Sequence, residues 1–128
     1  MGNIVTNIGG VLSAVTNTVA YTDSSAVTIG TIPANAQIVD INIDVTTAFN
    51  AGTTNTVTVG KSGSAAAFVA STSVGSAGRA SIATTGVYSA WADTGAAEVA
   101  VTATYGQTGT AASAGAMRVT VVYRSPAP

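Results

Sequence analysis

Hydrophobic and polar residues alternate along several stretches of the chain, as they do in β-strands whose successive side chains point to opposite faces. In residues 37–46 the positions predicted to face the core are Val39, Ile41, Ile43 and Val45, and those predicted to face away are Asp40, Asn42, Asp44 and Thr46. The stretches EVAVTATY and MRVTVVY repeat the pattern, with core positions at Val99, Val101, Ala103, Tyr105, Met117, Val119, Val121 and Tyr123. These three segments are the strongest strand predictions.

Shorter β-rich segments lie between stretches of turn-forming residues. They cover residues 26–31, 55–60, 66–71 and 79–83, and Gly, Asn, Ser and Pro are frequent between them. Many short strands at this spacing are typical of a β-sandwich or barrel with Greek-key or jelly-roll connections. The sequence therefore predicts an all-β, single-domain β-sandwich, and a jelly-roll-like arrangement is favoured.

The first twenty residues allow two interpretations. Apolar residues recur at helical spacing, but Gly9 and Gly10 interrupt them and β-branched residues are abundant. We expect residues 1–20 to be either an N-terminal arm that orders against a neighbouring subunit or the first strand of the domain. The sandwich is expected to span 21–124, and 125–128 should be an exposed tail because Pro126 and Pro128 cannot extend a ladder.

Charge is scarce in this chain. Charged residues make up 7% of it and hydrophobic residues 47%, with a formal net charge of -1 and a mean hydropathy of +0.46. This composition argues against disorder, and a weakly charged surface favours association. The four basic residues, Lys61, Arg79, Arg118 and Arg124, are spread along the sequence. We therefore expect no basic patch and no nucleic-acid partner.

Several kinds of chemistry lack the residues they need. The chain has no Cys and no His, which removes disulfides, thiolate zinc sites, thiol nucleophiles and the commonest general base. Ser62 and Ser64 flank Lys61 without a reason for that amine to lose its proton, and Asp93 and Glu98 show no sign of pairing. We expect no enzymatic activity and no cofactor. The N-terminus also lacks the charge pattern of a signal peptide, and no membrane span is expected.

Two motifs resemble ligand-binding loops without completing them. DINIDV begins like a calcium-binding loop, but Val45 occupies its sixth position and Ala51 its twelfth. Its three polar residues are better explained as the outer face of a strand, with a cation held between strands or subunits as the alternative. GKSG lacks the first glycine of a P-loop, because Asn55 stands in its place, and a hairpin turn is favoured.

The aromatic pair Tyr88 and Trp91 allows a sugar-stacking platform or a place in the core. Core packing is favoured because aromatic residues are only 5% of the chain and large side chains are needed to fill a space lined by Ala and Val. The same interpretation applies to Phe49, Phe68, Tyr105 and Tyr123.

One long pattern resembles a known group of proteins. Residues 32–60 read IPANAQIVDINIDVTTAFNAGTTNTVTVG, and they are followed by AGR at 77–79 and AGAMRVTVVYRSP at 114–126. This order of a Pro-Ala-Asn turn, a long alternating strand, an Asn/Gly loop and a short TVTVG strand resembles small virion proteins of tailed bacteriophages. The resemblance implies an all-β protein of the kind found among head decoration, or cement, proteins and among tail and fibre components.

The resemblance implies a homotrimer that is assembled in the bacterial host cytoplasm and binds the major capsid protein on the capsid exterior. The residues expected to make assembly contacts are Ile4, Val5, Ile8, Val11, Leu12, Arg118 and Arg124. Packing within the subunit, or a solvated charge, is the alternative for each. A tail or head-fibre component is the nearest rival function, and a bacterial surface glycan-binding module that uses Tyr88 and Trp91 is the rival from another class.

Overall fold

Eight strands and one short helix make up the part of the chain that the structure, a computed structural model, describes, namely residues 12–125. The elements are β1 Leu12–Ala20, β2 Val27–Ile32, β3 Gln37–Thr47, β4 Thr54–Lys61, β5 Ser64–Ser73, β6 Gly78–Arg79, α1 Tyr88–Trp91, β7 Val99–Thr108 and β8 Ala116–Arg124. Residues 12–20 are thus a strand of the sandwich. The remainder of the segment considered as an arm, and the final residues 126–128, lie outside the described range.

The strands pair like a long hairpin that has been rolled up. β1 pairs with β8, β2 with β7, β3 with β6 and β4 with β5, and all four pairs are antiparallel. Further pairing of β3 with β8 and of β4 with β7 closes a first sheet of order β1-β8-β3-β6 and a second sheet of order β2-β7-β4-β5. This nested pairing across two sheets is a jelly roll, which confirms the predicted fold class.

The core lies between the sheets and is built from alternate residues of the long strands. The members of β7 and β8 that were predicted to be buried are buried, apart from Tyr123, which is half-buried. In β3 the prediction for Val39 was wrong, because this side chain is 41% exposed and Ile38 takes the core position. A β-bulge between Ile38 and Asp40 inserts one residue and shifts the alternation.

The strand predicted at 79–83 ends at Arg79. The Ala80 amide still donates to the Ile43 carbonyl at 2.8 Å, but beyond it the chain turns, with the amides of Thr85 and Gly86 both donating to the Ile82 carbonyl. Ile82 is buried, so its apolar side chain anchors a loop against the core instead of continuing a ladder. The alternation of apolar and polar residues over 79–83 did not distinguish a strand from a loop whose apolar side chain is anchored in the core.

Phe49 and Tyr105 pack together at the end of the sandwich where β3 finishes. Their ring centroids are 4.4 Å apart, and the Tyr105 hydroxyl donates to Asn55 Oδ1 at 2.7 Å. Gly115, at φ 148°, permits this packing, because a Cβ there would lie 2.4 Å from Phe49 Cδ2. Phe49 and Tyr105 therefore fill the core, as predicted from the scarcity of large side chains.

Burial of Tyr105 predicts a loss of stability in alkali. Burial raises the pKa of its phenol above the ordinary value of 10.0. A raised folded-state pKa gives stability that is complete below about pH 10 and is lost as the pH rises through the folded-state pKa, at up to about 1.4 kcal/mol per pH unit. Urea denaturation between about pH 8 and pH 11.5 should show this decline, and Tyr105→Phe should reduce its slope. An equally steep decline in Tyr105→Phe would assign the loss to other groups.

Candidate functional site

The two outer faces of the sandwich differ in charge. The charged face is the outer surface of the first sheet, formed by Leu12, Ala14, Thr16 and Thr18 of β1, Arg118, Thr120, Val122 and Arg124 of β8, Gln37, Asp40, Asn42 and Asp44 of β3, and Arg79 of β6. It carries five of the nine charged residues of the chain, three Arg and two Asp. This face is the candidate functional site.

Cross-strand register places the charges of this face beside one another. Asp44 is the register partner of Arg118 on β8 and of Arg79 on β6, so an arginine lies beside it on each of the two neighbouring strands. Arg79 forms an ion pair with Asp40, with 3.1 Å between Nη2 and Oδ2. Both side chains are about half exposed, so the pair contributes at most about 1 kcal/mol, and its main effect is to hold Arg79 in place.

Three of the expected assembly residues lie on the charged face, with Leu12 and Arg124 at one end of β8 and Arg118 near the other. Leu12 is 51% exposed, and the register pairs it with Arg124, whose Nη1 donates to Gln37 Oε1 at 3.2 Å. Arg118 is also exposed and lies on β8, two residues before Thr120. Leu12 beside Arg124 provides apolar area next to a bidentate donor, and Arg is enriched at protein interfaces. The other four, Ile4, Val5, Ile8 and Val11, lie outside residues 12–125.

Three of the four basic residues share the charged face. Arg79 is about 40 residues from Arg118 and Arg124 in sequence, but antiparallel pairing brings β6, β3 and β8 side by side. Asp40 and Asp44 offset two of these charges, which leaves the face with a net charge of +1. Arg79 was not among the expected contact residues, and no local sequence signal identifies it, because its place beside Asp40 depends on the fold.

The outer surface of the second sheet is uncharged. This neutral face consists of Thr28 and Thr31 of β2, Thr54, Thr56, Thr58 and Gly60 of β4, and Ala100, Thr102, Thr104 and Gly106 of β7. Lys61 and Glu98 stand at its margin, where they line a hollow of about 470 Å³ at the β4–β5 hairpin. The neutral face presents small side chains and hydroxyl groups but no ionic anchor.

The Asp40, Asn42 and Asp44 row is the outer face of a strand, as favoured from sequence. Alternate residues on one strand face lie about 7 Å apart, and Arg79 already pairs with Asp40. Within residues 12–125, no three His, Cys, Asp or Glu side chains converge as a metal site would require. The Asn42 Oδ1 atom is enclosed by its neighbours and accepts no hydrogen bond from this part of the chain.

The GKSG stretch is a hairpin turn between two strands of the second sheet. Lys61 ends β4 and pairs with Ser64 at the start of β5, and Gly63 takes φ 82° in the two-residue turn between them. No helix follows this turn, so the phosphate-binding geometry of a P-loop does not form here.

Trp91 and Tyr88 occupy different environments, and the prediction of core packing was wrong for Tyr88. Trp91 is 6% exposed and its Nε1 donates to the Phe68 carbonyl at 2.9 Å, which confirms the core prediction. Tyr88 is 51% exposed, packs edge-on against Trp91 at 4.6 Å and donates to the Ile82 carbonyl. It lines a hollow of about 400 Å³ beside Asp40 and Arg79. The platform of two exposed rings does not exist, since only Tyr88 reaches solvent.

Comparisons with known proteins relate the chain to one solved structure. It is similar to a chain in the structure of the cyanophage Pam1 capsid asymmetric unit, with a TM-score of 0.69 and 23% sequence identity. The match covers 92% of this chain and 87% of that one, so the two are of comparable length and share the fold over nearly all of it. No protein-family model and no curated protein matches the sequence.

Helices long and apolar enough to cross a membrane are absent from residues 12–125, where the one helix has four residues.

Proposed function

We propose that this chain is a non-enzymatic structural protein of a tailed-phage virion, and specifically a capsid decoration, or cement, protein. The observation that carries the proposal is the shared fold with a chain of the Pam1 capsid asymmetric unit, which extends over nearly the whole of both chains. The resemblance of residues 32–60 and 114–126 to small phage virion proteins supports the same proposal independently.

The proposed mechanism is mechanical. A homotrimer that sits on the capsid exterior where capsomers meet adds buried area across joints that packaged DNA pushes apart. An interface of about 1,600 Å² ranges from micromolar to picomolar affinity depending on its anchor residues. Because three subunits bind together, weak single contacts suffice for stable attachment. The trimer assembles in the host cytoplasm, and its partners are further copies of itself and the major capsid protein.

The charged face is the proposed capsid-binding surface. Arg118 and Arg124 supply planar donors for carboxylates of the capsid protein, and Leu12 supplies apolar area beside Arg124. The N-terminal residues Ile4, Val5, Ile8 and Val11 add contacts between subunits and with the shell. The neutral face turns outward, since it has neither ionic anchors nor large apolar groups.

Charge reversal on the charged face tests this proposal. Arg118→Glu with Arg124→Glu should weaken co-sedimentation with empty shells of the major capsid protein at least about tenfold, because two anchors are replaced by repelling groups. Lys61→Glu reverses the charge of a basic residue at the margin of the second sheet. It is the matched control and should bind shells normally. Equal binding by all three proteins, after circular dichroism has shown that each is folded, would place the contact elsewhere.

A tail or head-fibre component is the nearest alternative, because similar sandwiches occur in both places. Binding to purified tails, with none to shells, would favour it. The glycan-binding alternative now rests on Tyr88 and the adjoining hollow with Asp40 and Arg79. Chemical-shift changes at Tyr88 on addition of cell-wall oligosaccharides would support it.

A further inference from the structure

The hollow of about 400 Å³ that Tyr88 lines adjoins the charged face at its β6 margin. Asp40 and Arg79 belong to the charged face and also line the hollow, so the two surfaces are continuous. The other lining residues come from the chain after β6 and from α1, namely Ala80, Ser81, Ile82, Ala83 and Tyr88. A partner that lies on the charged face can therefore also reach into the hollow.

Tyr88 offers the hollow an exposed aromatic ring. Its side chain is 51% exposed, whereas the other aromatic side chains within residues 12–125 are buried or half-buried. Tyrosine and arginine are enriched among the few residues that contribute most of the binding energy at protein interfaces. An exposed Tyr88 and an exposed Arg79 lining one hollow are thus the composition of an interface anchor site.

Three contacts hold the Tyr88 ring in place. Its hydroxyl donates to the Ile82 carbonyl at 3.0 Å, and its ring packs edge-on against Trp91 with 4.6 Å between centroids. The ring also lies against the backbone at Gly86, where an added Cβ would be 2.7 Å from Tyr88 Cζ. Because the ring is already fixed, little side-chain entropy is lost when a partner packs on it.

The loop that carries the hollow is fixed by backbone hydrogen bonds. The Ile82 carbonyl accepts from the amides of Thr85 and Gly86 at 3.2 and 2.8 Å, and the Ala80 amide donates to the Ile43 carbonyl of β3 at 2.8 Å. Ile82 itself is buried. The hollow is therefore preformed, as binding sites usually are.

The chemistry of the lining favours an uncharged, apolar occupant. Arg79 Nη2 lies 3.1 and 3.3 Å from the two carboxylate oxygens of Asp40, so the two charges of the hollow offset each other. A charged group that entered would lose hydration without gaining a free counter-charge. Apart from this ion pair and Ser81, the lining residues are apolar or aromatic.

The size of the hollow favours a single side chain. Its volume of about 400 Å³ lies near the lower end of the range of about 300–1,000 Å³ that is usual for small-ligand sites. One side chain with its adjoining backbone suits this volume better than a chain of several sugar units does.

We propose that the hollow receives one uncharged apolar side chain of the major capsid protein, which packs on the Tyr88 ring and anchors the β6 margin of the charged face to the shell. This inference rests on the proposed function, in which the charged face binds the shell. Leu12 lies on β1, at the opposite margin of the same sheet. The arginines of β8 then lie between two apolar contacts.

Two variants remove or fill the proposed anchor site. Tyr88→Ala and Ala83→Trp should each weaken co-sedimentation with empty shells of the major capsid protein at least about tenfold, the first by removing the ring and the second by occupying the hollow. Ala97→Trp is the matched control, because Ala97 is also exposed and lines the other hollow, at the β4–β5 hairpin. It should bind shells normally. Ala83 is exposed and lies outside the strands, so Ala83→Trp keeps the test decisive if Tyr88→Ala misfolds.

Salt dependence identifies the class of the occupant. The ratio of the wild-type affinity to the Tyr88→Ala affinity should change by less than about twofold between about 0.05 and 0.5 M NaCl, because burial of apolar surface is not screened. A ratio that falls steeply with salt would mean that the hollow binds a charged group, and the proposed occupant would be wrong.

Other outcomes overturn the inference in ways that leave the proposed function testable by itself. Wild-type binding to shells by both Tyr88→Ala and Ala83→Trp would remove the anchor site and leave the proposed function standing. If these variants instead lost binding to cell-wall oligosaccharides, the hollow would be a glycan site. Absence of shell binding by the wild-type protein would remove both the proposed function and this inference.

Discussion

Replacing Trp91 with alanine is expected to lower the free energy of unfolding by about 3–5 kcal/mol, because a large buried ring is lost from a core that has few others. The indole also donates to the Phe68 carbonyl, although that oxygen keeps the Val87 amide as a second donor. Most of the loss therefore comes from the cavity. Urea denaturation followed by far-ultraviolet circular dichroism measures it, since the variant has no Trp for fluorescence.

Two matched variants separate packing from surface recognition at this position. Trp91→Phe keeps an aromatic ring and should recover more than half of the stability lost in Trp91→Ala. Tyr88→Ala removes the half-exposed neighbouring ring and should cost clearly less than Trp91→Ala. If Trp91→Ala retained full stability but lost binding to an oligosaccharide, Trp91 would be a recognition residue and the structural assignment would be wrong.

Deletion of residues 2–11 is expected to abolish trimer formation and to weaken binding to capsid shells by about 10²–10⁴-fold, because a single subunit loses the gain from threefold attachment. The sandwich should remain folded. All eight strands that the structure describes lie within residues 12–125, and β1 pairs with β8 from Leu12 onward. Light scattering gives the mass of the truncated protein, and co-sedimentation gives its affinity for shells.

Truncation at the other terminus is the control for this deletion. Removal of residues 126–128 shortens the chain near the same end of the first sheet, because Leu12 and Arg124 are register partners. It should leave the mass and the shell affinity unchanged. If the N-terminal deletion instead unfolds the sandwich, residues 2–11 contribute to the core, and a truncated protein that still binds shells as a trimer would refute the assembly role.

The long regular strands were predictable from sequence because alternation persists over eight or more residues in β7 and β8 and burial follows it. Short segments were less predictable, since the alternation around Ile82 is produced equally by a loop anchored in the core. The bulge that exposes Val39 also left no local signal. Its position depends on the pairing of β3 with β8, which are about 80 residues apart in sequence.

The prediction of the functional site on the charged face was limited in the same way, because it depends on which strands are neighbours. Arg118 and Arg124 were expected to be exposed residues at a contact surface, as the resemblance to virion proteins implied, and the structure places both on the outer face of β8. Arg79 was missed because the two-residue strand β6 joins the sheet only through its pairing with β3. Sequence predicted the faces of individual strands, whereas the juxtaposition of strands required the nested topology.

Cryo-microscopy of capsid shells with and without the protein is the measurement that tests the central claim most directly. We expect additional density on the outer surface, with threefold symmetry at sites where capsomers meet, into which the jelly roll fits with its charged face toward the shell. Identical maps at saturating protein concentration would contradict the proposal that this chain decorates a capsid.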